Sequence, residues 1–265
     1  ETATPAQMRN PGKVLEKSKH VEEHQLTVRF PQLDPAGIMF YPRFFELIYR
    51  FFPEVPLATT PFTVRTDFLK PVRLGDRLHL LYERGESASD WSVTGLVDGE
   101  RHYRIFTEEP GETMPSLSPP THPFRTTGEP VGNWMCNQGG RMLLSRYLEI
   151  LNMSIEEWME DTLGMLLRDM QYVRNVGIPT VRFLTRCHEL PRAGEQVHMR
   201  LWPTRVGHRA MSFTSWLVRD DTCLIESEQV IVFVRFADRD FETIPIPDDM
   251  HAAFSAQLAA IGENV

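Results

Sequence analysis

Apolar and polar residues alternate along several short stretches of this chain, the pattern of half-buried β-strands. In the first half these are Leu26–Phe30, Phe62/Val64/Thr66/Phe68, Leu78/Leu80/Tyr82, Trp91/Val93/Gly95/Val97 and His102/Arg104/Phe106. Asp98-Gly99 between the last two is a tight hairpin signal. After the first strand the apolar spacing turns helical, predicting a helix near Tyr41–Phe52. The second half opens at Val131–Cys136, followed by a helix from about Gly140 to Leu151. Ser154-Ile155-Glu156-Glu157 reads as a capping box that starts a further helix. That helix carries Trp158, Leu163, Leu166, Leu167, Met170 and Val173 and is expected to stop at Gly177. Strands follow over Thr180–Cys187, Gln196–Trp202, Ala210–Arg219 and Thr222–Phe236, with an Asp220-Asp221 turn, and Met250–Ile261 predicts a closing helix.

The two halves repeat each other. Asp34, Gly37 and Met39 match Asn137, Gly140 and Met142 at an offset of 103 residues, and the same offset pairs Arg43 with Arg146, Phe44 with Tyr147 and Glu46 with Glu149. Further on, Arg73-Leu74-Gly75-Asp76 parallels Arg192-Ala193-Gly194-Glu195 at a longer offset of 119. An order of blocks shared at a long period is the mark of duplication. Between the units, Glu108–Pro130 holds Pro110, Pro115, Pro119, Pro120, Pro123 and Pro130 and is expected to run extended over the surface. The predicted organisation is a leader over 1–20, a first unit over 21–108, a Pro-rich linker over 109–130 and a second unit over 131–265.

Bulk composition narrows the classes. The chain has 265 residues, 42% apolar and 24% charged, ordinary values for a globular protein. Its net charge of −8 argues against nucleic acid and against an acidic membrane surface as partners. No apolar run approaches the roughly 20 residues of a membrane span. The three cysteines, Cys136, Cys187 and Cys223, lack metal-ligand spacing and fit a reducing, cytoplasmic compartment. Lys13, Lys17 and Lys19 lie in the first twenty residues and Lys70 is the one lysine beyond them, so the start is compositionally foreign to the rest. It reads as an accessory leader and does not have the pattern of a signal peptide. The motifs of serine hydrolases, P-loop NTPases, dinucleotide enzymes and zinc proteases do not occur.

Candidate chemistry centres on Asp34-Pro35-Ala36-Gly37-Ile38-Met39-Phe40-Tyr41-Pro42-Arg43-Phe44-Phe45. A carboxylate in a tight turn just before a helix sits beside unpaired backbone N–H groups. Such a residue can be a helix cap, or it can be a nucleophile or base next to oxyanion donors. The segment closely resembles the signature of the 4-hydroxybenzoyl-CoA thioesterase family of hotdog proteins. Asp67-Phe68-Leu69-Lys70-Pro71-Val72-Arg73-Leu74-Gly75-Asp76-Arg77-Leu78 resembles the second block of that family. The resemblance implies an α+β fold, here a double hotdog of two tandem antiparallel sheets, each wrapped around a central helix. The short, Pro-rich stretch from Leu47 to Phe62 departs from the family and suggests a truncated first helix.

The resemblance also implies an acyl-CoA thioesterase without a cofactor or metal, acting on an acyl-CoA or acyl carrier protein thioester. Oligomers of double-hotdog chains fit the same family. Asp34 would be the catalytic residue, the Tyr41 N–H the oxyanion donor, and Gly37 would allow close backbone approach. Phe40, Phe44 and Phe45 would hold the acyl group. Asn137 stands at the matching place in the second unit, as a degenerate site or a binding group. Arg205, His208 and Arg209 are expected in a loop where the family meets coenzyme A phosphates, or they form a solvated turn. Glu46 and Glu149 are surface glutamates or a helix-borne carboxylate, and Cys136 is a buried free thiol rather than a nucleophile. Rival activities are a hotdog dehydratase or hydratase, which needs a His beside the carboxylate, and a catalytically silent thioester-binding protein.

Overall fold

The computed structural model describes residues 20–87, 89–107, 119–120, 123–126, 128–237 and 240–262. The expected leader lies, but for His20, outside the described residues, as does most of the Pro-rich stretch. The first unit runs β1 (His20–Thr27), α1 (Tyr41–Phe51), β2 (Phe62–Phe68), β3 (Arg77–Arg84), β4 (Trp91–Val97) and β5 (Glu100–Thr107). The second runs β6 (Phe124–Arg125), β7 (Glu129–Pro130), α2 (Leu144–Leu163), α3 (Leu167–Tyr172), β8 (Val176–Gly177), β9 (Thr180–Cys187), β10 (Gln196–Val206), β11 (Ala210–Arg219), β12 (Thr222–Val232), β13 (Val234–Ala237), β14 (Asp240–Thr243) and α4 (Asp248–Gly262).

Eleven strands form one antiparallel sheet in the order β1-β3-β4-β5-β2-β9-β12-β11-β10-β6, with β7 also on β10. The order reads as two copies of one motif joined tail to tail. Their junction is the β2–β9 ladder, from Phe62 opposite Cys187 to Asp67 opposite Arg182. Each unit thus covers an edge that the other would leave unpaired. A second, three-stranded sheet of β14, β13 and β8 sits beside it.

The repeat is exact in its hydrogen bonds where it was visible in the residues. The Asp34 N–H donates to Ile38 O at 2.8 Å, as Asn137 does to Arg141 O at 2.8 Å. Met39 reaches Val72 O at 2.8 Å, and Met142 reaches Pro191 O at 2.8 Å. The Asp76 carboxylate accepts the Arg73 N–H at 2.7 Å, and Glu195 accepts that of Arg192 at 2.9 Å.

One helix lies against each half of the sheet. α1 buries Phe44, Phe45, Leu47 and Ile48, and the Phe44 ring meets Tyr103 edge-on at 4.3 Å. α2 buries Tyr147, Leu151, Ile155 and Trp158, and α4 closes the far end by stacking Phe254 on Trp158 at 5.4 Å. With 11 residues against 20, α1 is the short helix that the Pro-rich stretch suggested. Its Arg43 and Glu46 form a quartet with Arg146 and Glu149 of α2, with ion pairs of 2.6 and 2.7 Å within each helix and 3.1 Å across.

Several expectations need correction. The first strand starts earlier, at His20, and Phe30–Gln32 is a 3₁₀ turn. The two helices expected around Leu151 and Ser154 are one. Buried Ser154 turns its hydroxyl back to Ile150 O at 2.8 Å instead of capping, and the break comes at Gly164, whose φ of 65° a side chain would resist. Gly177 stands in a strand. The strand expected over Thr222–Phe236 divides at Phe233, whose N–H leaves the ladder for Arg209 O at 2.9 Å. The end of the Pro-rich stretch is not wholly irregular, because Phe124–Arg125 and Glu129–Pro130 pair with β10 at the position β1 holds on β3. Two-residue edge strands are about as much ladder as proline allows.

Candidate active site

Asp34 occupies a turn that folds on its own side chain. Its Oδ1 accepts the N–H of Ala36 at 2.8 Å and of Ile38 at 3.2 Å, and Gly37 takes a φ of 76° to close the turn. A Cβ at Gly37 would meet no protein atom within 4 Å, so within the chain itself the glycine answers to its positive φ. Burial raises the Asp34 carboxyl from 3.8 to about 6, against the N–H groups of Ile38, Ala36 and Gly37, which favour the charged form. Asp34 does not cap α1, whose N-cap is Phe40 with no side-chain cap bond.

The start of α1 leaves the Tyr41 N–H without a backbone acceptor among the described residues. Pro42 has no N–H, and Arg43 N–H is returned to Phe40 O at 2.9 Å. Tyr41 is the first helical residue and has no intrahelical acceptor, and its N–H finds no backbone acceptor among the described residues. The positive end of the helix dipole adds to this donor.

Asp34, Phe40, Tyr41 and Phe44 line a cleft of about 1080 Å³. Phe68, Pro71, Arg73 and His102 extend its first-unit wall. The other wall comes from the second unit: Asn152, Ile155 and Glu156 of α2, Leu167 and Gln171 of α3, Ile178–Val181, Gln229 and Ile231. The sequence marked none of these second-unit residues as part of a site, since the cleft exists only once β2 and β9 have paired. Tyr172 at the end of α3 ties the second unit to the Asp34 turn, its exposed hydroxyl donating to Pro35 O at 3.1 Å.

The matching place in the second unit is built the same way and then closed. Asn137 Oδ1 accepts Gly139 N–H at 2.9 Å and Arg141 N–H at 3.1 Å, so the turn forms with a neutral side chain. The donor equivalent to Tyr41 is Leu144 N–H, and it is already bonded to the Tyr49 hydroxyl at 3.0 Å. Asn137 does not line the cleft.

The remaining candidates separate. Phe45 is buried in the core, away from the cleft. Arg205 is exposed at the end of β10, and exposed His208 follows in the turn; neither lines the cleft. Arg209 lines a smaller depression of about 470 Å³ with Arg174 and Arg235, and Thr243 borders both spaces. Arg174 there is paired with Asp249 at 2.6 Å. Glu46 and Glu149 belong to the ion quartet. Desolvation raises the Cys136 thiol, which disfavours a thiolate nucleophile. His102 stands in the cleft wall, but its Nδ1 is held by Pro71 O at 2.9 Å, and among the described residues no hydrogen bond joins it to Asp34.

Sheet order, helix placement and the turn before α1 together define a double hotdog. Solved structures share it. A protein from Lactobacillus plantarum described as an oleoyl thioesterase is 12% identical, with 83% of this chain and 98% of that one aligned at a TM-score of 0.55. An acyl-ACP thioesterase from Bacteroides thetaiotaomicron is 10% identical over 80% of this chain and 97% of that one, with a TM-score of 0.56. At such identities the likeness is one of fold. No family model and no curated protein sequence matches the chain. No helix among the described residues is long and apolar enough to cross a membrane.

Proposed function

We propose that this chain hydrolyses an acyl thioester to a carboxylic acid and a free thiol. The observation that carries the reading is the meeting of Asp34 with the open Tyr41 N–H on one cleft. Asp34 deprotonates a water that attacks the thioester carbonyl and then passes that proton to the departing thiolate, or attacks the carbonyl itself, expelling the thiolate and forming an anhydride that water hydrolyses, with a proton from that water neutralising the thiolate. In either course the Tyr41 N–H receives the oxyanion. A carboxylate near 6 is charged at neutral pH yet more basic than an ordinary one. Phe40, Phe44 and Phe68 hold the apolar part of the acyl group. The thiol-bearing arm leaves past Thr243, where Arg209 and Arg235 offer forked donors to phosphate oxygens. Arg73, stacked on Phe241 at 5.1 Å with a buried Nη2 that has no hydrogen-bond partner, adds a cation on the way. Coenzyme A and an acyl carrier protein both bring such phosphates, and the acidic chain with unpaired cysteines suits a cytoplasmic enzyme.

A panel of acyl-CoA and acyl carrier protein thioesters, followed with a thiol-detecting reagent, tests this. Free thiol released by the wild type and not by Asp34→Asn supports it. A new or lost double bond without thiol release would mark a dehydratase or hydratase instead. Tight binding with no product would mark a silent binding protein.

A further inference from the structure

Between α2 and β8 the second unit carries a segment with no counterpart in the first. The offset between the units grows from 103 to 119 residues between Glu149 and Arg192, and the longer α2 and the added α3 lie in that stretch. The chain leaves α2 at Gly164, with a φ of 65°, and enters β8 from Asn175, with a φ of 54°. Both are left-handed residues, at which a chain changes direction sharply. The stretch 165–174 between them is one helix thick. Leu167, Arg168 and Gln171 line the cleft, while Tyr172 and Val173 are 68% and 78% exposed. Of the α3 residues, Met170 alone is buried. The Asp169 and Met170 N–H groups donate to Leu166 O at 2.9 and 3.1 Å, and those of Val173 and Arg174 to Asp169 O at 2.9 and 3.2 Å, so these bonds stay within the segment. A segment with one buried anchor and self-contained bonds opens at low cost compared with the core. Outside fastenings are few among the described residues. Arg174 forks onto Asp249 of α4 at 2.6 and 2.8 Å, next to Asn175. The one hydrogen bond from α3 to the first unit is that of the Tyr172 hydroxyl to Pro35 O at 3.1 Å. Pro35 directly follows Asp34, so this bond ends on the turn that carries the carboxylate.

We propose that residues 165–174 form a hinged strap over the cleft, with Gly164 and Asn175 as its hinges and the Tyr172 hydroxyl as its latch. Released from Pro35, the strap swings Leu167 and Gln171 away and admits the ligand. Latched, it holds them against the ligand and keeps bulk water from that side of the cleft, a gating role that short mobile segments serve in many enzymes. A bound apolar group gives Leu167 a surface to pack on and so favours the latched form; by reciprocity the latch strengthens binding. Because the latch ends on Pro35, closure also steadies the turn of Asp34. The strap acts on whatever the cleft holds, and rests on the thioesterase reading only for the choice of ligand.

The test follows amide hydrogen exchange in the full chain, free and with S-decyl-CoA or S-benzyl-CoA, two thioethers that cannot be hydrolysed, for the wild type and Tyr172→Phe. The Tyr172 side chain is exposed, so the variant keeps the packing of the fold. In the free wild type the N–H groups of Met170, Val173 and Arg174 should exchange about tenfold or more faster than those of α2, and a bound thioether should slow them. Tyr172→Phe should speed their exchange in the free protein, leave α2 unchanged, and raise the thioether Kd by about threefold to tenfold, the size of one hydrogen bond. A rigid wall behaves otherwise: α3 exchanges in step with α2, or a bound thioether leaves it unchanged, or Tyr172→Phe alters neither exchange nor Kd. Any one of these overturns the proposal. If neither thioether binds, the two free proteins decide: faster α3 exchange in Tyr172→Phe supports the latch, and equal exchange overturns it. Thiol release from acyl-CoA thioesters reports on the hydrolase reading separately, so a strap that exchanges as expected on a protein that releases no thiol leaves the strap standing while that reading falls.

Discussion

At the scale of single residues, Asp34 carries a conflict that Asn137 does not. Both side chains hold the same turn through the same acceptor oxygen, so the turn has no need of the charge. Burial opposes that charge. Because the folded carboxyl titrates near 6 and the unfolded one near 3.8, the native state binds more protons between those values. The protonated carboxyl's contribution is fully present below about 4 and is lost as pH rises through 6. Asp34→Asn should therefore stabilise the protein at pH 7 by about 1–3 kcal/mol, with the gain vanishing near pH 4. Denaturant melts of both proteins across that range check it, and a variant less stable at pH 7 would contradict the burial argument. Hydrolysis should fall by about 10²–10⁴ in the same variant. In the wild type kcat/KM should rise with pH through about 6 as the carboxylate forms, which a pH–rate profile reads directly.

At the scale of elements, the sequence was most informative where structure is local. The turn and the start of α1 are contiguous, and their glycine, proline and aromatics report the backbone they need. It was least informative where an element answers to distant neighbours. Ser154 has the spacing of a cap but lies buried on α2, so packing overrides the local signal. Gln229 could have been noticed as a polar residue at an inward position of an alternating strand, beside Ser227 and Ile231. Nothing local tells that Tyr49 reaches the start of the other helix. That contact makes a prediction: Asn137→Asp alone should not create a second active site, because Leu144 N–H stays bonded to Tyr49. Titration with a tight substrate analogue should remain at one equivalent per chain, and two equivalents would show that the Tyr49 contact does not block the site. Tyr49→Phe should lower stability by about 1–3 kcal/mol, the cost of a buried N–H left without its acceptor, visible as a lower Tm.

At the scale of the whole molecule, the cleft is a property of the joint between units. Asp34 comes from one unit and Gln229 from the other, so anything that holds the joint also sets the site. Across the helices the joint is held by Arg43, Glu46, Arg146 and Glu149, each of which contacts a partner on its own helix and one on the other. Side-chain exposures of 20–32% place the quartet between a surface pair and a buried one. If Glu46 or Glu149 were a reacting group, its amide would collapse kcat with little change in Tm. The geometry requires the opposite. Glu46→Gln and Glu149→Gln should each lower Tm by a few degrees, more at low salt than at high, with kcat at moderate temperature near that of the wild type. Because each arginine is shared between both glutamates, the double variant leaves Arg43 and Arg146 facing without compensation. Its loss should exceed the sum of the single losses by about 0.5 kcal/mol or more, measured as a double-mutant cycle of denaturant midpoints. Strict additivity would mean that the two glutamates act independently of each other across the joint.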